Sequence, residues 1–323
     1  MSAGARPREV RVFAPASVAN LGVGFDALGA ALEGAGDVVI ARRTRRKGVV
    51  VRAITGDGGR LPRDPEKNTA SVAAALVLAA SRAPDAAGIE LTLEKGLPLA
   101  SGLGSSAASA AAGAFAAAEL LGVTSRRVLL EAVLRAEHAA DGSWHGDNAF
   151  ASLLGGLQLV GSSDPRRLRM PTALPFPERT RLVIVHPDLE LATSESRRVL
   201  PAAVPLAVHV RQSAAFAELV AALARGDLAA AGRAMSSDRI VNPRREPLVR
   251  GYARVVAAMR AAGAYGCSLA GAGPSVVALS EEGHAPEKIG AAAVEAWARE
   301  GVAATARVHR IDRVGARRLA GPA

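Results

Sequence analysis

The chain has 323 residues, half of them hydrophobic and only 3% aromatic, with 40 Lys and Arg against 30 Asp and Glu, a formal charge of +10. Such a chain buries a core of Ala, Val and Leu, which excludes a wholly disordered protein, and at roughly 100–200 residues per domain it makes one large domain or two modest ones. A single cysteine, Cys267, excludes an internal disulfide framework and a cysteine-rich metal site; with no uninterrupted apolar run of about 18 residues and no apolar signal core near Met1, a cytoplasmic location is expected.

Residues 10–13 alternate and predict a strand. Residues 37–41 and 49–54 are apolar, β-branched runs that predict a meander, with the basic stretch from Arg42 to Lys47 as a solvated turn between them. Residues 56–67 predict a loop, 69–81 a helix capped by Asn68 or Thr69, and 88–95 a half-buried strand. A Gly-rich segment then opens an Ala-rich helix over 107–121, followed by a helix over 128–140. Residues 150–160 hold Gly155-Gly156 and then a strand, and 181–186 form another. Helices are predicted over 208–224, 228–236 and 248–262, a Gly-rich turn and strand over 268–279, a helix over 287–300 and a final strand over 303–311. This alternation lacks a regular βαβ period and predicts an α+β fold. Four prolines and a run of basic residues place a domain boundary between Ser162 and Pro177.

Four segments carry chemistry. In Pro98-Leu-Ala-Ser-Gly-Leu-Gly-Ser-Ser-Ala-Ala108, Gly102 and Gly104 let the backbone turn sharply and approach a ligand closely. Ser105 and Ser106 then enter a helix whose free N–H groups and dipole favour an anion. A phosphate-binding loop is built this way, although no Walker motif occurs; the alternative is an ordinary glycine loop with a serine cap. Residues 14–26 place Asn20 and Asp26 in a Gly-rich loop after a strand, where ligand groups often sit and where Asn and Asp also serve turns. Glu137 lies near a helix C-terminus, where a carboxylate opposes the dipole and suits a cation. Asp147 and Asn148 follow ten residues later, and His138 and His145 lack zinc spacing. The fourth segment, residues 268–276, is a Gly-rich turn whose alternative is close backbone packing.

In this order the four segments resemble the GHMP small-molecule kinases, over residues 10–310. Pro98–Ala108 is similar to that family's P-x-x-x-G-L-G-S-S-A-A loop, and Gly271-Ala-Gly-Pro-Ser275 to its C-terminal glycine motif. Pro15–Asp26, His145-Gly-Asp-Asn148 with Leu154-Gly-Gly156, Thr193-Ser-Glu-Ser-Arg197 and residues 238–248 are similar to the branch of the family that phosphorylates L-homoserine. Mevalonate kinases and galactokinases usually carry a basic residue where Ala16-Ser17-Val18 stands. The sequence departs from the pattern at Asn242 (often Glu), Arg250 (often Pro) and Ala272 (commonly Ser).

The resemblance implies a two-domain GHMP kinase fold: an ATP-binding, ribosomal-protein-S5-like domain over residues 1–165 and a ferredoxin-like domain over 166–323. It implies that Arg197 and Arg245 hold the homoserine carboxylate, a role that suits the bidentate guanidinium. Asn20 and Asp26 then hold the ammonium, Asp147 and Asn148 meet the reacting hydroxyl, and Thr193 lies near the transferred phosphoryl. The ATP phosphates lie over Pro98, Leu99, Ala100, Ser101, Gly102, Leu103, Gly104, Ser105, Ser106, Ala107 and Ala108, with Asn68 near the adenosine. Mg²⁺ joins the phosphates to Ser106, or Ser105, and to Glu137. The sequence shows no Lys–Asp pairing like that of the family's other kinases, so positioning and charge neutralisation carry the transfer, with Asp147 either orienting the hydroxyl or only binding substrate. A homodimer is implied, with no membrane or nucleic-acid partner. The nearest rival is a kinase of another small alcohol, such as shikimate or mevalonate. A nucleic-acid-binding module needs basic clusters interleaved with stacking aromatics, and two Trp, two Tyr and six Phe are too few.

Overall fold

Val10, Val12 and Ala14 are buried while Glu9, Arg11 and Phe13 are not, which is the alternation that marks the first strand. In the computed structural model, which describes residues 7–320 apart from 82–87, 143 and 145, this strand runs well past Phe13. β1 covers Glu9–Asn20 and β2 Gly24–Thr44, paired antiparallel about a turn at residues 21–23. Residues 14–20, expected as loop, are therefore strand. Beyond Ala14 both faces are buried (Ala16, Ser17, Val18, Ala19), so no alternation is left to read.

The expected meander is also corrected. β3 (Gly48–Thr55) does not pair with β2; β4 (Gly88–Glu94) lies between them, antiparallel to β2 and parallel to β3. A parallel pair needs a crossover, and α1 (Thr69–Ala79) supplies it. Behind the sheet lies α2 (Ser105–Leu121), rich in Ala and buried on nearly every side, as befits a helix without a polar face. α3 (Arg126–Asp141) and α4 (Gly146–Leu154) complete the layer. No helix is predicted from sequence over 146–154, because α4 is short and opens on Gly-Asp-Asn, residues that favour turns.

β5 (Leu157–Leu159) pairs with β2, and β6 (Thr172–Leu174) with β5. The last short strand, β11 (Arg317–Arg318), returns to pair with β1. Thus two segments beyond residue 165 belong to the first sheet. The second sheet contains β7 (Thr180–Pro187), β8 (Gly266–Leu269), β9 (Val276–Glu281) and β10 (Ala304–His309), in the order β10-β7-β9-β8 and all antiparallel. Around it lie α5 (Thr193–Arg198), α6 (Leu206–Arg225), α7 (Leu228–Met235), α8 (Asn242–Arg245), α9 (Tyr252–Ala261) and α10 (Pro286–Arg299). α9 starts later than predicted because Pro247 sits in a 3₁₀ turn and Gly251 is left-handed. Trp297 of α10 is fully buried in this half's core.

By length and composition α6 is apolar enough to cross a membrane, although only 17% of its 18-residue stretch is buried in the protein. His209, Arg211, Gln212 and Glu218 interrupt it, so a search for an unbroken run passes over it. Leu219, Ala222 and Leu223 anchor it to the core, while Leu206 and Val210 are 77% and 57% exposed.

Candidate active site

The loop from β4 into α2 is shaped by two close approaches. Gly104 is left-handed, and a Cβ there would lie 2.2 Å from Ser17 Oγ and 3.1 Å from Asn148 Oδ1. Gly102 is left-handed too, and its Cβ would lie 2.4 Å from the Ala270 carbonyl. Glycine alone lets the two Gly-rich motifs pack together. Ser275 Oγ donates to the Ser101 carbonyl at 2.6 Å, and Ser17 N–H to the Leu103 carbonyl at 3.1 Å. No side chain caps α2, so its first N–H groups remain donors for an anion. Asn20, Asp26 and Ala100, all on the same cleft, are left-handed without being glycine, a conformation that surrounding structure must enforce.

Beneath this loop lies a buried cluster. Lys95 Nζ pairs with Asp37 and donates to Ser109 Oγ at 2.8 Å and to the Ser105 carbonyl at 2.9 Å. Asp37 also accepts from Ser109 Oγ at 2.8 Å and from Gly96 N–H at 3.0 Å. Both charged side chains are 1% exposed. The chain therefore does hold a Lys–Asp pair, but it braces the start of α2.

Ser106 Oγ donates to Glu137 Oε2 at 3.0 Å. Among the described residues Ser105 Oγ is buried without a hydrogen-bond partner. Two hydroxyls and a carboxylate at a helix start are hard oxygen donors. They fit Mg²⁺ shared with phosphates, and among the described residues no cluster of three His, Cys, Asp or Glu offers a rival metal site.

At the other end of the cleft, Arg245 is 2% exposed. Its Nε donates to the Ser196 carbonyl at 3.1 Å and its Nη1 to the Gly271 carbonyl at 2.9 Å. Burial, then the neighbouring Arg197, pull its guanidinium down to about 10, against the attraction of Asp26, Asp147 and Asp238; it stays a cation at neutral pH. Arg197 Nη2 donates to Asp26 Oδ1 at 2.7 Å. The guanidinium carbons of Arg197 and Arg245 lie 5.3 and 5.2 Å from the centre of the Phe25 ring. Asp147 is buried on the first turn of α4, where the helix dipole favours a negative group, and its Oδ1 accepts Asn148 N–H at 2.8 Å. Asn148 Oδ1 accepts from Ser17 Oγ at 2.9 Å, which leaves its amide N–H groups for other partners.

One cleft of about 330 Å³ collects most of the residues singled out in the sequence, a size usual for small-molecule sites. Asn20, Asp26, Asn68, Leu99, Ala100, Ser101, Gly102, Gly104, Ser105, Ser106, Glu137, Asp147, Asn148, Thr193, Arg197 and Arg245 line it; Pro98, Leu103, Ala107 and Ala108 lie behind. Both polar groups of the Asn68 and Asn20 side chains are taken up within the protein. Asn68 caps α1 through Oδ1 and donates to the Pro62 carbonyl at 3.1 Å. Asn20 Oδ1 accepts Asp26 N–H at 3.1 Å, and its amide donates to the Gly271 carbonyl at 3.0 Å. Leu61, Pro62, Lys95, Ser109 and Phe25 also line the cleft and were not assigned from sequence. Of these, only Phe25 lay inside a motif. His138 stacks on Trp144 at 3.8 Å, His145 lies outside the described residues, and burial pushes the Cys267 thiol up to about 12, which makes it inert.

Comparison with known proteins points the same way. Residues 68–156 match the GHMP kinases N terminal domain, and residues 219–299 the GHMP kinases C terminal. A homoserine kinase of Chlorobium phaeovibrioides is 42% identical over 299 residues, 90% of this chain and 92% of that one. A homoserine kinase of Arabidopsis thaliana is 41% identical over 314 residues, 95% of this chain and 84% of that one. The crystal structure of homoserine kinase from Cytophaga hutchinsonii superposes with a TM-score of 0.92 at 40% identity, covering 99% of this chain and all of that one.

Proposed function

The chain belongs to the homoserine kinases of the GHMP kinase family, and from that premise we infer that it transfers the γ-phosphoryl of ATP to the side-chain hydroxyl of L-homoserine, giving O-phospho-L-homoserine, the precursor of threonine. One observation carries the assignment of roles. A loop built for phosphates and a pair of arginines meet in one cleft, with a carboxylate beside them. Arg245, tied to two carbonyls and buried, presents its charge to the substrate carboxylate, and Arg197 is the second arm of the fork. Asp26 balances the ammonium. Asp147 and Asn148 orient the hydroxyl toward the γ-phosphorus; as the new O–P bond forms, the bond to the β-phosphate oxygen breaks, ADP leaves, and the hydroxyl proton passes by way of the transferred phosphoryl oxygens to solvent. Thr193, at the start of α5, faces the transferred group. Ser106 and Glu137, with Ser105 alongside, would hold Mg²⁺, which when bound neutralises charge on the phosphates.

A coupled ADP-release assay with ATP and Mg²⁺ tests this, offering L-homoserine, mevalonate, shikimate, galactose and L-threonine separately. Turnover with L-homoserine alone, abolished by EDTA and restored by added Mg²⁺, is expected. Turnover with another alcohol instead would keep the phosphate loop and overturn the roles of Arg197, Arg245 and Asp26.

The same reading places the enzyme in the cytoplasm, where ATP is supplied, and divides the chain near residue 165, with β6 and β11 returning to the first half. A homodimer is proposed through α6. On its outer face Ala207, Val210, Ala214, Ala217 and Ala224 recur at helical spacing, flanked by exposed Arg211 and Glu218. Antiparallel pairing of two copies would bring the opposite charges of Arg211 and Glu218 onto one seam, where the small residues let the helices approach. Light scattering is expected to give a dimer for the wild type and a monomer for Val210→Glu; a monomeric wild type would refute the interface.

A further inference from the structure

We propose that Phe25 is a positioning residue that sets the cleft's preference for a carboxylate, by holding the guanidinium groups of Arg197 and Arg245 against its ring. The inference rests on the homoserine reading and goes beyond it. Both guanidinium carbons lie within about 6 Å of the ring centre, the range of cation–π attraction.

Two cations that face one ring repel: burial first, and then Arg197, hold the Arg245 guanidinium below its ordinary value. Asp26 ion-pairs with Arg197, and a second acid at this point would neutralise the fork and repel an incoming carboxylate. An aromatic face avoids that conflict. It attracts cations through its quadrupole yet carries no net charge, so the fork keeps its positive charge for the substrate.

The backbone on both sides of Phe25 is fixed. Asp26, the next residue, is left-handed and donates its N–H to Asn20 Oδ1. At Gly24, the residue before, a Cβ would lie 2.7 Å from the Asn20 carbonyl and 3.1 Å from Phe216 of α6. Gln212 of α6 also donates to the Val23 carbonyl at 3.3 Å and to Asp238 Oδ1 at 2.9 Å. Asp238 in turn accepts the N–H groups of Ile240, Val241 and Asn242, the last of which opens α8. The backbone that carries Phe25 and the one that carries Arg245 are thus fastened to the same α6 side chain.

The test compares wild type, Phe25→Leu and Phe25→Tyr in steady-state kinetics. It adds two competitive inhibitors: L-2-aminobutyrate, which has the carboxylate and ammonium of homoserine without its hydroxyl, and 3-aminopropan-1-ol, which lacks the carboxylate. In Phe25→Leu the KM for L-homoserine and the inhibition constant of L-2-aminobutyrate are expected to rise about tenfold together. The inhibition constant of 3-aminopropan-1-ol, the KM for ATP and kcat are expected to stay within about twofold. Phe25→Tyr, which keeps the ring face, should restore the wild-type values. Equal weakening of both inhibitors, an unchanged KM, or failure of Tyr to rescue would each overturn the proposal. Phe25→Met, near in volume and without a ring, repeats the comparison if the Leu variant melts early. A wild type that ignores L-homoserine would sink the functional reading itself, and the ratio of the two compounds' dissociation constants, measured directly by calorimetry on wild type and Phe25→Leu, would still judge the ring.

Discussion

Arg245→Ala is expected to lower kcat/KM for L-homoserine by about a thousandfold, since removing one partner of a buried, hydrogen-bonded charge pair costs about 2–5 kcal/mol and 1.4 kcal/mol is a factor of ten. The effect should fall mainly on KM, because the guanidinium binds the carboxylate equally before and during transfer. Arg245→Lys tests whether the fork or the charge matters. Lysine keeps the charge but cannot reach two carbonyls and a carboxylate in one plane, so most of the loss should remain. Nε and Nη1 are spent on Ser196 and Gly271, so a melting curve must accompany the kinetics. Asp147→Asn is expected to cost much less. Its buried oxygen accepts the Asn148 N–H, which an amide oxygen can replace, and phosphoryl transfer leans on position and charge more than on proton removal. If instead Asp147→Asn abolished kcat at unchanged KM, Asp147 would be a general base and the assigned division of labour would be wrong.

The contrast between these two residues bears on what a sequence discloses. The phosphate loop was legible because its chemistry is contiguous. Gly102, Gly104, Ser105 and Ser106 follow one another, and a helix start needs no distant partner to bind an anion. Asn68 and Asn20 were found by the same local logic. Their types suit caps and turns as well as ligands, and their side chains are in fact bound to α1, Pro62, Asp26 and Gly271. Lys95 and Asp37 were invisible for the opposite reason. They stand 58 residues apart, one ending an alternating run and the other opening one. They meet only because β4 lies beside β2 rather than beyond β3. Local runs and the basic turn between them favour a hairpin of β2 with β3. The crossover through α1 decides otherwise. Phe25 stands inside a motif that gives it no role, since a ring's use depends on arginines 172 and 220 positions later, supplied by the second half of the chain.

Lys95→Met is expected to destabilise the protein by about 3–5 kcal/mol, the usual cost of leaving one member of a buried ion pair behind. Asp37 would remain 1% exposed with only Ser109 and Gly96 as partners. A fall in melting temperature follows, and alone it says nothing about function. The double variant Asp37→Asn with Lys95→Met separates the two. Removing both charges takes away the stranded carboxylate, while the amide put in its place can still bond Ser109 and Gly96, so most of the lost stability should return. ATP use should not. Lys95 Nζ also donates to the Ser105 carbonyl, on the residue that opens α2 beside the uncapped N–H groups. Methionine cannot make that bond, and a helix start displaced by even about 1 Å can cost two orders of magnitude in rate. The double variant is therefore expected to melt near the wild type and to show a KM for ATP raised about tenfold or more, with the KM for L-homoserine little changed. Recovery of both stability and ATP use would make the pair a packing device only. Recovery of neither would mean that Asp37 and Lys95 serve through their charges, and the tether to Ser105 would lose its meaning.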